Sequence, residues 1–320
     1  MVASNSPRWQ VGNERKEARP MQIGIAGIGK MGAAIALRLI EVGHTITVWN
    51  RSPEKVKPIA AAGAAVAATP AELASINDAV ITILTNAAAI EAVYGGASGL
   101  LAPDVRGKLF MEMSTVEPRT EVELAARVRA KGAAFVECPV GGSTGPARQG
   151  KLIGLMGAEG ADAARAQPIL EQLCRRLEHC GPIGSGSVMK LTINMPLMIY
   201  WQALGEALAL CRPLGLDPAR IMDLLADTSG GPNVLKVRGA GVAQMLKGGE
   251  AGPVTFDVDS AVKDLHTMLA EGKARGVALP LTEKTLACYE ETKRNVSGAA
   301  EVSAVSVYWA NRAMQRSETV

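Results

Sequence analysis

The sequence predicts an α/β domain built on a parallel sheet, followed by an all-α domain joined to it by a long helix. Three observations carry this. Short apolar strands alternate with helices from Met21 to about Gly184. No strand pattern returns beyond that point, and a chain of 320 residues is too long for one ordinary core.

The elements follow in order. QIGIAG is a short apolar strand, MGAAIALRLIEVG a helix ended by Gly43, and HTITVWN a second strand. Ala-rich AAAGAAVAA connects a helix to a strand. Four further buried-strand candidates are DAVITILT (78–85), KLFMEMST (108–115), AAFVECPV (133–140) and GKLIGLMG (150–157). Between them, TPAELASI and EPRTEVELAARVRAKG read as helices, the first capped by Thr69-Pro70 and the second by Pro118 behind a Ser-Thr pair. After GPIGSGS a long apolar-rich helix pattern begins, within which Pro196 is expected to kink the axis or mark a break. The remainder is helical with breaks at SGGP and KGGEAGP. The domains are therefore placed at 21–183 and 184–320, with residues 1–20 as a poorly structured extension: they lack the apolar run of a secretion signal, and their acidic residues weigh against a transit peptide.

Composition excludes several function classes. A net charge of +3 is too small to imply a nucleic-acid or anionic-membrane partner, and no segment has the roughly 18–20 apolar residues of a membrane span. Five scattered cysteines without a CxxC pair argue against zinc or a disulfide framework and for a reducing, cytoplasmic setting. The three histidines sit at no metal-ligand spacing, so no metal is expected.

Gly27-Ile28-Gly29-Lys30-Met31-Gly32 spells GxGxxG between a strand and a helix. Gly27 allows the tight turn, Gly29 a close backbone approach to a pyrophosphate, and Gly32 the packing of helix on strand. The helix N-terminus turns unpaired N–H groups toward the phosphates. An NAD site usually carries an acidic residue at the end of the second strand, about 20 residues on. Here that position reads Asn50-Arg51-Ser52, and Arg51 is either a partner for a 2′-phosphate or a surface arginine in a turn. The missing acid favours NADP(H) over NAD(H).

Lys190 and Asn194 lie four apart in GSGSVMKLTIN and so share a helix face, amid apolar Val188, Met189, Leu191 and Ile193. A lysine so placed either snorkels to solvent or lines a cleft.

In four blocks, GIAGIGKMG…WNRS, ECPVGGSTGPARQGKL, GSGSVMKLTIN and AVKDLHTML, the chain resembles the β-hydroxyacid dehydrogenase family, in the same order and spacing from Met21 almost to the C-terminus. The resemblance implies a Rossmann domain carrying the cofactor and a helical domain for substrate binding and dimerisation, with the substrate in the cleft between them. It makes Lys190 the general acid/base, with Asn194 orienting it and the substrate. It assigns Thr115, after Ser114, to the nicotinamide side, Lys263 to the cofactor, and Gly141-Gly142-Ser143 to the substrate carboxylate. The expected reaction interconverts a small β-hydroxyacid (or 2-hydroxyacid) and its semialdehyde or oxo acid, in a homodimer or homotetramer.

Three departures stand out: Gly141 where the family has serine, Glu112 where aspartate is common, and Glu301-Val302 for a Gly-Asp-type segment. The first bears on the substrate; the other two read as neutral. Two other readings share the fold. An imine reductase generally has another residue in place of Lys190, and a non-catalytic NADP-binding regulator would not need the Lys190–Asn194 pair. Phosphogluconate dehydrogenase has a longer helical domain than this chain can form.

Overall fold

The computed structural model describes residues 20–228 and 230–315, with side chains to 312. The extension expected over 1–20 lies outside them, apart from Pro20. Two compact units divide between Thr192 and Ile193.

In the first unit, nine strands form one sheet. They are β1 (Gln22–Ala26), β2 (Thr45–Trp49), β3 (Ala65–Val66), β4 (Ala79–Thr82), β5 (Leu109–Glu112), β6 (Ala134–Glu137), β7 (Val140–Gly141), β8 (Leu152–Gly157) and β9 (Cys174–Gly181). The order is β3-β2-β1-β4-β5-β6-β8-β7, with β9 along the other side of β8. Pairing is parallel from β3 to β6, but β8 runs antiparallel to β6 and β7, so the sheet is mixed where a parallel one was expected. The step from β6 through β7 to β8 is too short for a crossover helix long enough to return the chain parallel. Strand β9, CRRLEHCG, escaped the sequence reading because Arg175 and Arg176 are exposed and its apolar positions are few.

Side chains alternate across the sheet and fill a core on each face. Ile23, Ile25, Met111 and Val136 pack with Ile35 and Leu39 of α1 (Lys30–Glu41) and Ile169 and Leu170 of α7 (Gly160–Leu173). Val80, Phe110 and Phe135 point the other way. They meet Leu73 of α3 (Pro70–Ile76), Val93 of α4 (Ala87–Tyr94) and Leu124 of α5 (Pro118–Ala130). The predicted cap of α3 is present: Thr69 accepts from Glu72 N at 3.1 Å, and Glu72 Oε2 reaches past the cap to accept from Ala68 N at 2.7 Å. Helix α5 starts at Pro118 without a side-chain cap, because Ser114 is engaged elsewhere.

Helix α8 (Ser185–Cys211) starts one residue past the expected domain boundary and runs unbroken through Pro196. The carbonyl that Pro196 leaves unpaired belongs to Thr192, which is exposed, so water can satisfy it. The units divide nine residues beyond that boundary, and the first turns of α8 are bonded to β6. The second unit holds the rest of α8 with α9 (Pro218–Ala226), α10 (Asn233–Leu246), α11 (Val258–Ala274), α12 (Pro280–Asn295) and α13 (Ala304–Gln315), and α8 is bonded to the last three. Tyr289 Oη donates to Met198 O at 2.8 Å and Ser306 Oγ to Trp201 O at 2.5 Å, so buried polar tips are spent on α8 carbonyls. No described helix is long and apolar enough to cross a membrane.

Three carboxyls are buried together in the first unit: Glu112, Glu121 and Glu137. Burial raises all three above the ordinary range, Glu137 to about 7. Glu121 is pushed furthest, having Glu112 and Glu137 beside it and no hydrogen bond of ordinary geometry. Its contact with Glu112 is electrostatic, and a proton on Glu121 relieves it. A raised folded-state pKa means that the folded chain holds more protons than the unfolded one above about 4.5. The resulting stability is complete below that value and is lost as pH rises through the folded pKa. The urea midpoint should therefore fall between pH 5 and pH 8, and the slope should flatten in Glu121→Gln. Equal slopes in the two proteins would remove Glu121 as its source.

Candidate active site

The glycine loop follows β1. Gly27 has φ +99°, and a Cβ there would lie 2.1 Å from Ile83 O. At Gly32 it would lie 2.0 Å from Gly27 O, so both glycines are required by packing alone. Gly29 differs: it is exposed and a Cβ there would meet nothing within 4 Å. Helix α1 has no side-chain cap and no acidic residue in its first turn. An open, uncapped N-terminus beside an unshielded glycine backbone fits a pyrophosphate. Ile28 is buried, while Lys30 is exposed and Met31 half-buried.

Asn50 ties the end of β2 to this loop, accepting from Ile28 N at 3.0 Å and donating to Ser52 O at 3.0 Å. Its side chain therefore shapes the loop. Arg51 beside it is exposed and Ser52 half-buried, with no carboxylate in the turn. The loop stands between β1 and β4, where strand order reverses, which is where open α/β sheets bind ligands.

The sheet register places Ala26, Thr82, Glu112 and Glu137 in one row at the ends of β1, β4, β5 and β6. Past this row the chain leaves the sheet in the glycine loop, in Ile83-Leu84, in Ser114-Thr115 and in the segment before Gly141. Glu112 is not a neutral replacement. Its carboxylate accepts from Ser114 N at 2.8 Å and from Ser114 Oγ, which in turn accepts from Leu84 N at 2.7 Å. Ser114 is thereby spent on holding two loops together, and Thr115, half-buried, follows it.

In the loop after β6, Gly142 has φ +124° and requires glycine. Gly141 does not: a Cβ there meets Ile153 at an ordinary 3.7 Å, so the family's serine would fit. Ser143 precedes α6 (Thr144–Arg148) without capping it.

Lys190 is half-buried on α8. Of its apolar sequence neighbours only Leu191 is buried, while Met189 and Ile193 are exposed. The helix is fastened at its start, where Glu137 accepts from Gly186 N and Ser187 Oγ. In the second unit, Asn194 Nδ2 donates to Asp264 Oδ2 at 3.0 Å, and Lys263 pairs with Asp264 Oδ1. Asp264 is buried and joins two residues that sequence reasoning named separately. Its place in the KDL block was the available signal. Glu301, also read as neutral, is buried, pairs with Arg238 and caps Ser303 N at 2.8 Å, so it has a structural task. Among the described residues no group of His, Cys, Asp and Glu is placed to hold a metal ion.

Two family models match in tandem. One, the NAD binding domain of 6-phosphogluconate dehydrogenase, covers residues 22–181; the other, the NAD-binding domain of NADP-dependent 3-hydroxyisobutyrate dehydrogenase, covers 184–309. The chain is 33% identical to 3-hydroxyisobutyrate dehydrogenase of Pseudomonas aeruginosa, over 81% of this chain and 88% of that one. It is 30% identical to glyoxylate/succinic semialdehyde reductase 1 of Arabidopsis thaliana, over 89% and 97%. A solved structure of Mycobacterium tuberculosis 3-hydroxyisobutyrate dehydrogenase with L-serine superposes with TM-score 0.78 at 26% identity, covering 90% of this chain and 98% of that one.

The glycines should separate by experiment. Gly32→Ala should lower stability by about 1–3 kcal/mol, since the added methyl group meets a backbone oxygen. Gly29→Ala should leave the thermal midpoint unchanged and weaken nicotinamide dinucleotide binding by about 10–100-fold, the worth of one charge-assisted hydrogen bond. Thermal melts with calorimetric titration check both; a destabilised Gly29→Ala with intact binding would reverse the assignment.

Proposed function

We propose a mechanism from the premise that this chain belongs to the β-hydroxyacid dehydrogenase family and is a dehydrogenase acting on hydroxyl groups with a nicotinamide cofactor. The substrate is a small β-hydroxyacid (or 2-hydroxyacid), interconverted with its semialdehyde or oxo acid, and NADP(H) is preferred over NAD(H).

When bound, a nicotinamide cofactor would supply or take the hydride. Gly27 to Gly32 and the α1 N-terminus would hold its pyrophosphate, Arg51 and Ser52 its adenosine ribose, and Thr115 and Lys263 would add further cofactor contacts. Asn50 contributes by holding Ile28. The turn Asn50-Arg51-Ser52 supports the NADP preference because it offers an arginine and no carboxylate to repel a phosphate.

Lys190 moves the proton. In reduction its ammonium Nζ–H donates to the substrate oxygen as the carbonyl becomes an alcohol; in oxidation the neutral amine takes that proton back. The observation that carries this role is the Asn194–Asp264–Lys263 chain, which fixes an amide one helical turn from Lys190. Without Asp264 the amide would be free to rotate, and Asn194 could not present one face to substrate or lysine. The backbone of Gly141 and Gly142 and the hydroxyl of Ser143 receive the substrate carboxylate. We read the second unit as the dimerisation unit of a homodimer or homotetramer, since Leu210, Leu214 and Val237 stand exposed on it.

Lys190→Ala should lower kcat by roughly 10²–10⁴-fold with NADPH binding intact. A turnover screen of small semialdehydes and glyoxylate with NADPH, followed by stopped-flow comparison, measures this; near-normal turnover would take the lysine out of the mechanism. Arg51→Ala should weaken NADPH by about 10–100-fold and leave NADH unaffected. Equal losses for both cofactors in fluorescence titration would make Arg51 a structural residue.

A further inference from the structure

Glu137 ends β6 and is fully buried at 0% exposure, yet it touches neither the glycine loop nor the Gly141 to Ser143 loop through any hydrogen bond. Its carboxylate is spent on the start of α8. Oε1 accepts from Gly186 N at 2.8 Å, and Oε2 from Ser187 Oγ at 2.7 Å and Ser187 N at 3.3 Å. Two glycines make the fit. A Cβ at Gly157 would lie 2.1 Å from Glu137 Oε1, and one at Gly186 would lie 2.2 Å from Leu155 O. The helix start is thus pressed against β8 with a charged acceptor inserted at its end. That charge also meets the partial positive charge of the helix N-terminus. Lys190 comes three residues after Ser187, within the next turn.

We propose that Glu137 is a positioning residue for Lys190, setting where the lysine's helix begins and hence where its Nζ can reach. This rests on the acid/base role given to Lys190 above. Sequence reading treated Glu137 as part of a strand end; its partners come from a segment about 50 residues away, so no local pattern reveals it.

The carboxylate form holds best, because three donors point at it and a proton would turn one strong, charged acceptor into a donor. Facing it are Glu121 from α5, Cys138 just past the end of β6 and Cys180 from β9, with Glu112 alongside in the β5 register. None of these is a cation, and burial brings Glu137 to about 7. As pH falls from 8 to 6 the clasp should weaken. Reduction needs the protonated lysine, and a lower pH can only favour that form, so a fall in kcat for reduction cannot come from the lysine.

The test uses the full chain with NADPH and the best semialdehyde found in the screen. Glu137→Gln should lower kcat by about 5–100-fold, the effect of misplacing a catalytic group by up to about 1 Å, while KM and NADPH affinity stay within about twofold. The loss of kcat between pH 8 and pH 6 should be absent in the variant, and Glu137→Asp should recover part of it. Ser187→Ala, which removes one bond only, should fall between the wild type and Glu137→Gln. Combined with Lys190→Ala, the Glu137→Gln change should cost nothing more, because it acts through the lysine. Should the same fold-loss appear on top of Lys190→Ala, or should Glu137→Gln turn over normally while Lys190→Ala collapses, the positioning role is overturned and the lysine's role stands. If Lys190→Ala itself turns over normally, the lysine reading fails and this proposal fails with it.

Discussion

The parallel register of β1, β4, β5 and β6 is the constraint on which the first unit's chemistry depends. It brings Ala26, Thr82, Glu112 and Glu137 into one row, so that the segments following them leave the sheet at the same edge. Parallel pairing requires helical crossovers on the faces, which bury both sides of these strands and leave their ends as the place where polar groups can gather. A shift of one residue in any strand would send Glu112 or Glu137 to the other face and remove the acceptors that the loops need.

Burying carboxyls at the end of a sheet is costly, and the row is tolerated because each has a task or a proton. Glu112 receives Ser114, which receives Leu84; Glu137 receives the start of α8. Glu121, between them and without a geometric hydrogen bond, is the one pushed furthest toward the neutral form. A neutral Glu121 spares the other two a third negative charge in a medium where repulsion is poorly screened. The loops around the nucleotide edge are therefore held by buried acceptors, where a smaller apolar core would leave them to solvent.

Much of this was legible in the sequence, and the limits have physical causes. The strands β1, β2, β4, β5 and β6 and the helices α1, α3 and α5 were readable because apolar runs, caps and glycines act locally, whereas the two-residue β3 lies inside AAAGAAVAA, which reads as a connection. The glycine loop was readable because Gly27 and Gly32 answer to contacts made within a few residues or with the next strand. Strand β9 was missed because an edge strand need not be apolar; β8 was read as a strand, and only its antiparallel direction was missed, because direction is not written in composition. Asn50 appeared as a cofactor ligand by position, whereas its amide is occupied with Ile28. Glu112 and Glu301 looked like neutral substitutions because their partners, Ser114, Arg238 and Ser303, become visible only once side chains point inward. The apolar residues around Lys190 promised more burial than they deliver, since sequence neighbours on a helix point in different directions.

Helix α8 is where these constraints meet. Its first turns belong to the sheet unit and the rest to the helical unit, with the division two residues after Lys190 and just ahead of Asn194. Each unit holds its own end by a buried carboxylate: Glu137 takes the backbone and hydroxyl of Gly186 and Ser187, and Asp264 takes the amide of Asn194. The helix continues through Pro196, whose missing N–H leaves the carbonyl of Thr192, an exposed residue, without its usual helical partner. Both carboxylates stand in blocks that carry the family resemblance, Glu137 in ECPVGGSTGPARQGKL and Asp264 in AVKDLHTML, and what each one grips is the backbone, hydroxyl or amide of this one helix, a task that the blocks' linear pattern does not display.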